Sequence, residues 1–109
     1  MSSILNDTKK QLGIDEASEY FDPVILMNIN SVFVTLNQLG VGPDTIFSIE
    51  DEEDDWDDFM TDSTVAMVKP YLYMKVRLMF DPPQQQTLLD AMERQVSELE
   101  FRLVVTTSK

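Results

Sequence analysis

Apolar residues recur along this chain at helical spacing and divide it into four stretches. The first, residues 1–13, places Leu5, Thr8 and Leu12 on one face of a short helix, Ile4–Leu12. Ser2 or Ser3 stands ready to cap it, and Gly13 stops it. The second, residues 22–39, opens on Asp22-Pro23 as cap plus first-position proline. Ile25, Ile29, Val32, Leu36 and Leu39 then repeat at helical intervals, widened by Leu26 and Phe33. The β-branched content of Val24–Val34 makes a strand the rival, but the period and length favour helix. Gly40 and Gly42-Pro43 end it.

The third stretch, residues 63–80, is apolar on nearly every side, with charge only at Lys69, Lys75 and Arg77. A helix of this kind is either buried by its neighbours or crosses a membrane. Three cations and the short apolar runs between them argue for burial, so this is expected to be the central helix. Asp62 or Ser63 can cap its start, and Asp81-Pro82-Pro83 ends it. Pro70 either kinks this helix or marks its first turn. The fourth stretch, residues 82–103, aligns Leu88, Met92, Val96, Leu99 and Leu103 in one seam, with Asp81-Pro82-Pro83-Gln84 as cap, first-turn prolines and capping-box partner. Asp90–Arg94 and Glu98–Arg102 are spaced as ion pairs on its outer face. Residues 104–109 read as a tail.

Between the second and third helices lies a long connection, residues 44–62, in which Trp56–Phe59 is expected to form one turn whose aromatics pin the loop. The fold class that follows is all-α, one domain built as a small bundle of about four helices with one long acidic loop.

Charge and composition narrow the function. The chain carries 20 Asp/Glu against 8 Lys/Arg, a net charge of −12, and Glu50–Asp58 holds eight of the acids. Specific nucleic-acid binding needs a basic face and is disfavoured. Cysteine and histidine are absent and glycines number three. That excludes thiolate metal sites, Ser-His-Asp catalysis and phosphate-cradling glycine loops. The acid run lacks the alternation and glycine of a calcium loop. Neither a metal nor any other cofactor is expected, and no catalytic residue is assigned. Lys69 or Lys75 could serve as a base only if desolvated; a stem covering apolar surface is the simpler reading. Met1–Gly13 is polar and amphipathic, unlike a secretory signal, and no membrane association is expected.

The apolar content of the helices exceeds what so few helices can cover, which suggests burial between subunits. The ordered segments FDPVILMNINSVFVTLNQLGVGP, a loop holding W-x-x-F, VKPYLYMKVRLMFDPP and MERQVSELEFRL resemble the head–tail connector (adaptor) proteins of tailed phages, over roughly Ile4 to Leu103. The resemblance implies a structural virion protein of the phage neck, assembled in the host cytoplasm and without catalytic residues. It implies a homo-oligomeric ring, about twelve copies closed head to tail, beneath the portal protein. Such a ring extends the DNA channel and offers a surface to the next neck or tail component. The family's portal-docking C-terminal part corresponds here to Phe101, Leu103, Val104 and Val105.

The acidic loop, Glu50, Asp51, Glu52, Glu53, Asp54, Asp55, Asp57 and Asp58, is expected to face the channel or its rim, where phosphate repulsion lets a duplex slide. The alternatives are an acidic inhibitor that mimics DNA, or another small helical interaction protein. Mimicry calls for carboxylates spread along a surface, and here they are crowded.

Overall fold

Ser3 opens the first helix by accepting a hydrogen bond from the Asn6 N–H at 3.1 Å, which satisfies one free first-turn donor of α1 (Ile4–Gln11). The computed structural model describes residues 2–107. Four further helices follow: α2 (Asp22–Gln38), α3 (Trp56–Phe59), α4 (Val65–Phe80) and α5 (Gln86–Thr107). The described residues form no strand; an isolated bridge joins Ser3 to Asp55. The protein is all-α.

α4 is the central helix. It packs on α2 along one side and on α5 along the other, and α1 covers α2. The molecule is flat, 41 × 36 × 19 Å, so its core lies within a thin slab. Ile25, Ile29, Val32, Phe33 and Leu36 of α2 meet Val68, Tyr71, Leu72 and Val76 of α4 in that core. The helical period of these positions is what turns one face of each helix inward.

Several boundaries differ from the sequence expectation. Asp22 is the first residue of α2 rather than its cap; Phe21 occupies the cap position and makes no side-chain capping bond. The Asp22 carboxylate is committed to Lys9 instead. Neither Asp62 nor Ser63 is the cap of α4. Thr64 holds that position, and Asp62 accepts from its N–H at 2.8 Å. Pro70 lies inside α4, with Val65–Lys69 already helical before it. Pro82 and Pro83 precede α5 rather than forming its first turn, and Pro83 is buried. α5 then runs on to Thr107, so the expected tail is helical over 104–107; its last two residues lie outside the described region. The Asp90–Arg94 pair does not form. Asp90 accepts from Gln86 Nε2, and Glu98–Arg102 alone pairs on that face, at 2.7 Å.

The connection from α2 to α4 is tied down by aromatic packing. Phe33, Phe47 and Phe59 form a cluster with ring centroids 4.8–5.3 Å apart. Gly42 permits it: its φ is +96°, and a Cβ there would meet the Phe59 ring at 2.5 Å. Both facts demand glycine.

Candidate functional site

The acidic loop is a built structure. Ile49 is buried, and Asn30 of α2 clamps its backbone from both sides, donating to Ile49 O at 3.0 Å and accepting from Ile49 N at 2.8 Å. Asp54 accepts from the Glu50 N–H at 2.8 Å, and Asp51 from Glu53 N at 2.9 Å. Asp55 and Asp58 form a reciprocal capping box around α3. Trp56 and Phe59 of α3 are both buried.

Trp56 locks this turn to the rest of the fold. Its Nε1–H donates to Asp7 Oδ2 at 3.0 Å, and its ring meets Tyr73 edge-on at 6.1 Å. The Lys69 ammonium stands 5.4 Å from its centroid. Ile4 N donates to Asp54 O and Trp56 N to Ser2 O, so the start of α1 pairs with the loop backbone. Asp51, Asp54, Asp55 and Asp58 are thus occupied in local hydrogen bonds. Glu50, Glu52, Glu53 and Asp57 are exposed, as are Asp51 and Asp58 of the bonded set. The eight acids therefore split into four whose carboxylates hold the loop backbone and four with no such bond, a division that composition does not reveal.

Tertiary structure also joins two acidic stretches. Glu52 lines one recess with Asp15, Glu16 and Glu19 of the α1–α2 connector and Asp22 of α2. Lys9 sits at its base, 1% exposed, and uses its ammonium three ways. It pairs with Asp22 Oδ1 at 2.9 Å and donates to Glu16 O at 3.0 Å and Ser18 O at 2.6 Å. Asp22 Oδ1 makes no other polar contact among the described residues. Among those residues, no three carboxylates converge as a metal-holding group.

α5 is the least covered helix. Over 22 residues only Val96 and Leu103 are buried. Leu89, Met92 and Leu99 of the seam are half-buried, and Leu88 is exposed. Leu103 is fully enclosed, which corrects its assignment to a docking face: it belongs to the core. Phe101 and Val105 lie on the opposite side of α5 and Val104 on its flank, and all three are exposed, Phe101 by 69%. The outer face of α5 is polar through Asp90, Arg94, Ser97 and Glu98, then turns apolar in its last two turns. Inside, Tyr71 is fully buried and donates to Glu100 Oε2 at 2.6 Å, linking α4 to α5. Burial, then the hydrogen bond and charge of Glu100, raise the Tyr71 phenol well above its ordinary value. Burial, and secondarily the Asp7 charge, push Tyr73 up to about 12.

A second uncovered surface lies on α2 and the turn before it. Tyr20 is 84% exposed and Met27 70%, with Phe21 and Val24 between them also exposed. Phe21 stacks edge-on against both Tyr20 and Phe80. No charged residue occurs between Asp22 and Asp44, so the outer face of α2 is charge-free in an otherwise strongly charged chain. Sequence reasoning overlooked Tyr20, Phe21, Val24 and Met27 as a surface; that gap in the charges was the signal. Among the described residues, no helix is long and apolar enough to cross a membrane.

A family model described as "Phage connector protein" matches residues 4–109. Neither the curated proteins nor the solved structures include a match.

Proposed function

The chain belongs to the phage connector protein family, and from that premise we propose that it is a structural virion protein that joins head to tail by assembling into a ring. Copies close head to tail, about twelve in number, beneath the portal protein, and the ring extends the DNA channel. The reading is carried by the apolar residues left exposed on α2 and α5 of a single copy. A chain of net charge −12 is kept soluble by repulsion, so uncovered apolar faces on it are best explained by partners.

In this reading Phe101, Val104 and Val105 dock on the portal protein. They form a compact apolar end on a regular helix, a shape suited to an apolar groove. Glu50, Glu52, Glu53 and Asp57 face the channel or its rim and repel phosphates, so that no specific DNA contact forms. The neck of the virion is the proposed location, and another neck or tail component binds the far side of the ring. The proposed action is burial and charge display, without catalysis.

The test is native mass measurement of the purified protein, alone and with portal protein. Discrete oligomers, or a complex with portal, are expected; a strict monomer in both conditions removes the reading. A ring structure with the acidic loop on its outer circumference would overturn the channel assignment alone. The rival reading, a DNA mimic, draws on the recess where Glu52 meets Asp15, Glu16 and Glu19. Specific retention by an immobilised nuclease would be its evidence.

A further inference from the structure

We infer that the apolar ridge formed by Tyr20, Val24 and Met27 of one copy seats in the groove between α4 and α5 of the next copy. The inference rests on the self-assembly proposed above and identifies the two surfaces that meet. The groove is lined by Met67, Pro70 and Met74 of α4 and by Gln95, Glu98, Leu99 and Arg102 of α5. Its volume is about 410 Å³. Methionine linings adapt to an inserted aromatic ring, and sulfur–aromatic contacts are favourable. Pro70 adds its pyrrolidine ring to the apolar wall.

Charge decides the occupant. Residues 1–63 hold two Lys/Arg and fifteen Asp/Glu, whereas residues 64–107 hold five of each. α1 covers α2 on one side of the slab, and α5 packs on α4, so this division in sequence is also a division in space. Glu16 and Glu19, both exposed, flank the ridge in sequence, while Asp22 is paired with Lys9. The charges in the groove cancel, since Arg102 pairs with Glu98 at 2.7 Å. Two copies joined ridge to ridge bring two strongly negative ends together; joined ridge to groove, the negative end of one meets the neutral end of the other. Like-charge repulsion disfavours the first arrangement and so selects the second. The contact is therefore heterologous, the kind that closes a ring when repeated.

The ridge is preorganised. Lys9 holds Glu16 O, Ser18 O and Asp22, and so fixes the connector that carries Tyr20. Phe21 braces it on Phe80 at 5.2 Å. A rigid, solvent-exposed tyrosine is a common interface anchor, since little ordering remains to be done on binding.

The test uses two variants of the full chain with substitutions at exposed positions. Tyr20→Asp/Met27→Asp removes the ridge, and Gln95→Trp/Arg102→Glu blocks the groove. Circular dichroism verifies that each is folded, and light scattering or native mass measurement reads assembly. Each variant alone is expected to associate at least about thirty-fold more weakly than the wild type. Mixed together they are expected to form a one-to-one dimer that grows no further, because the mixture offers one intact ridge and one intact groove. Wild-type-like assembly by either variant alone overturns the inference while leaving the connector reading in place. A mixture that stays monomeric also overturns it. A wild type that remains monomeric up to about millimolar concentration overturns it as well, and binding to portal then judges the connector reading separately.

Discussion

The Lys9 ammonium lies 2.9 Å from the Asp22 carboxylate, so the last half of α1 is fastened to the first residue of α2 by a charge wholly removed from solvent. The same ammonium satisfies two carbonyls of the intervening turn. A lysine survives in such a place because every proton it carries has an acceptor.

Lys9→Met is therefore expected to destabilise the fold by about 3 kcal/mol. It leaves Asp22 and two backbone carbonyls without their donor. Asp22→Asn, which retains a polar acceptor, is expected to cost less. Urea unfolding midpoints of the two variants check the order.

Trp56 is the sole tryptophan, so its fluorescence reports whether the acidic loop is docked. A blue-shifted emission, poorly quenched by acrylamide, is expected from its burial. Asp7→Ala removes the acceptor of the Trp56 Nε1–H and is expected to cost about 1.5–3 kcal/mol, the range for a hydrogen bond to a charged group. Emission unchanged in position and quenching, together with unchanged stability, would count against the docking role of this bond.

Gly42→Ala meets two obstacles, a positive φ and the Phe59 ring, whereas Gly13→Ala meets only the first, with open space around its Cβ. The strained backbone alone costs about 1–2 kcal/mol. Gly42→Ala is expected to exceed Gly13→Ala by at least about 1 kcal/mol in thermal or denaturant unfolding, since the aromatic cluster must shift.

Tyr71 and Tyr73 both hold their protons more tightly in the folded chain than in the unfolded one, whose phenols titrate near 10. Their contribution to stability is complete below pH 10 and declines as pH rises through the folded values, because the unfolded chain then releases protons that the folded chain retains. The melting temperature is expected to fall between pH 10 and 12. Tyr71→Phe should flatten part of that fall. It also leaves Glu100 without the phenol hydrogen bond, which lowers stability near neutrality.

Leu103→Asp and Val105→Asp separate folding from docking. The first puts a carboxylate into a fully enclosed position and is expected to cost more than about 4 kcal/mol, enough to unfold a small domain. The second lies on the exposed side of α5 and is expected to change stability by less than about 0.5 kcal/mol. If the proposed portal contact is correct, Val105→Asp also abolishes portal binding in a pull-down while the protein stays folded.

What could be read along the chain was local. Helical periodicity placed α1, α2, α4 and α5, and the capping chemistry of Ser3 was visible in the same way. The turn at Trp56–Phe59 was legible because two aromatics three apart in a polar run have reason to fold inward. These features arise from interactions within one helical turn, which neighbouring residues specify by themselves. The ends of α2 and α5 were less legible. Asp22 looked like a cap until Lys9 took its carboxylate, and 104–107 looked like a tail although the helix continues through it.

Packing alone decided the rest. Burial of Lys9, enclosure of Leu103 beside exposed Phe101, Val104 and Val105, and the meeting of Glu52 with Asp15–Glu19 all depend on partners distant in sequence. So does the division of the acid run into carboxylates that bond the loop backbone and carboxylates that do not. A residue's type sets what it can bond to, but its burial and its partner are properties of the assembled slab of helices. The sequence determined an acidic, all-helical connector with apolar surface to spare; only the tertiary structure determined which faces carry that surface and which charges remain free.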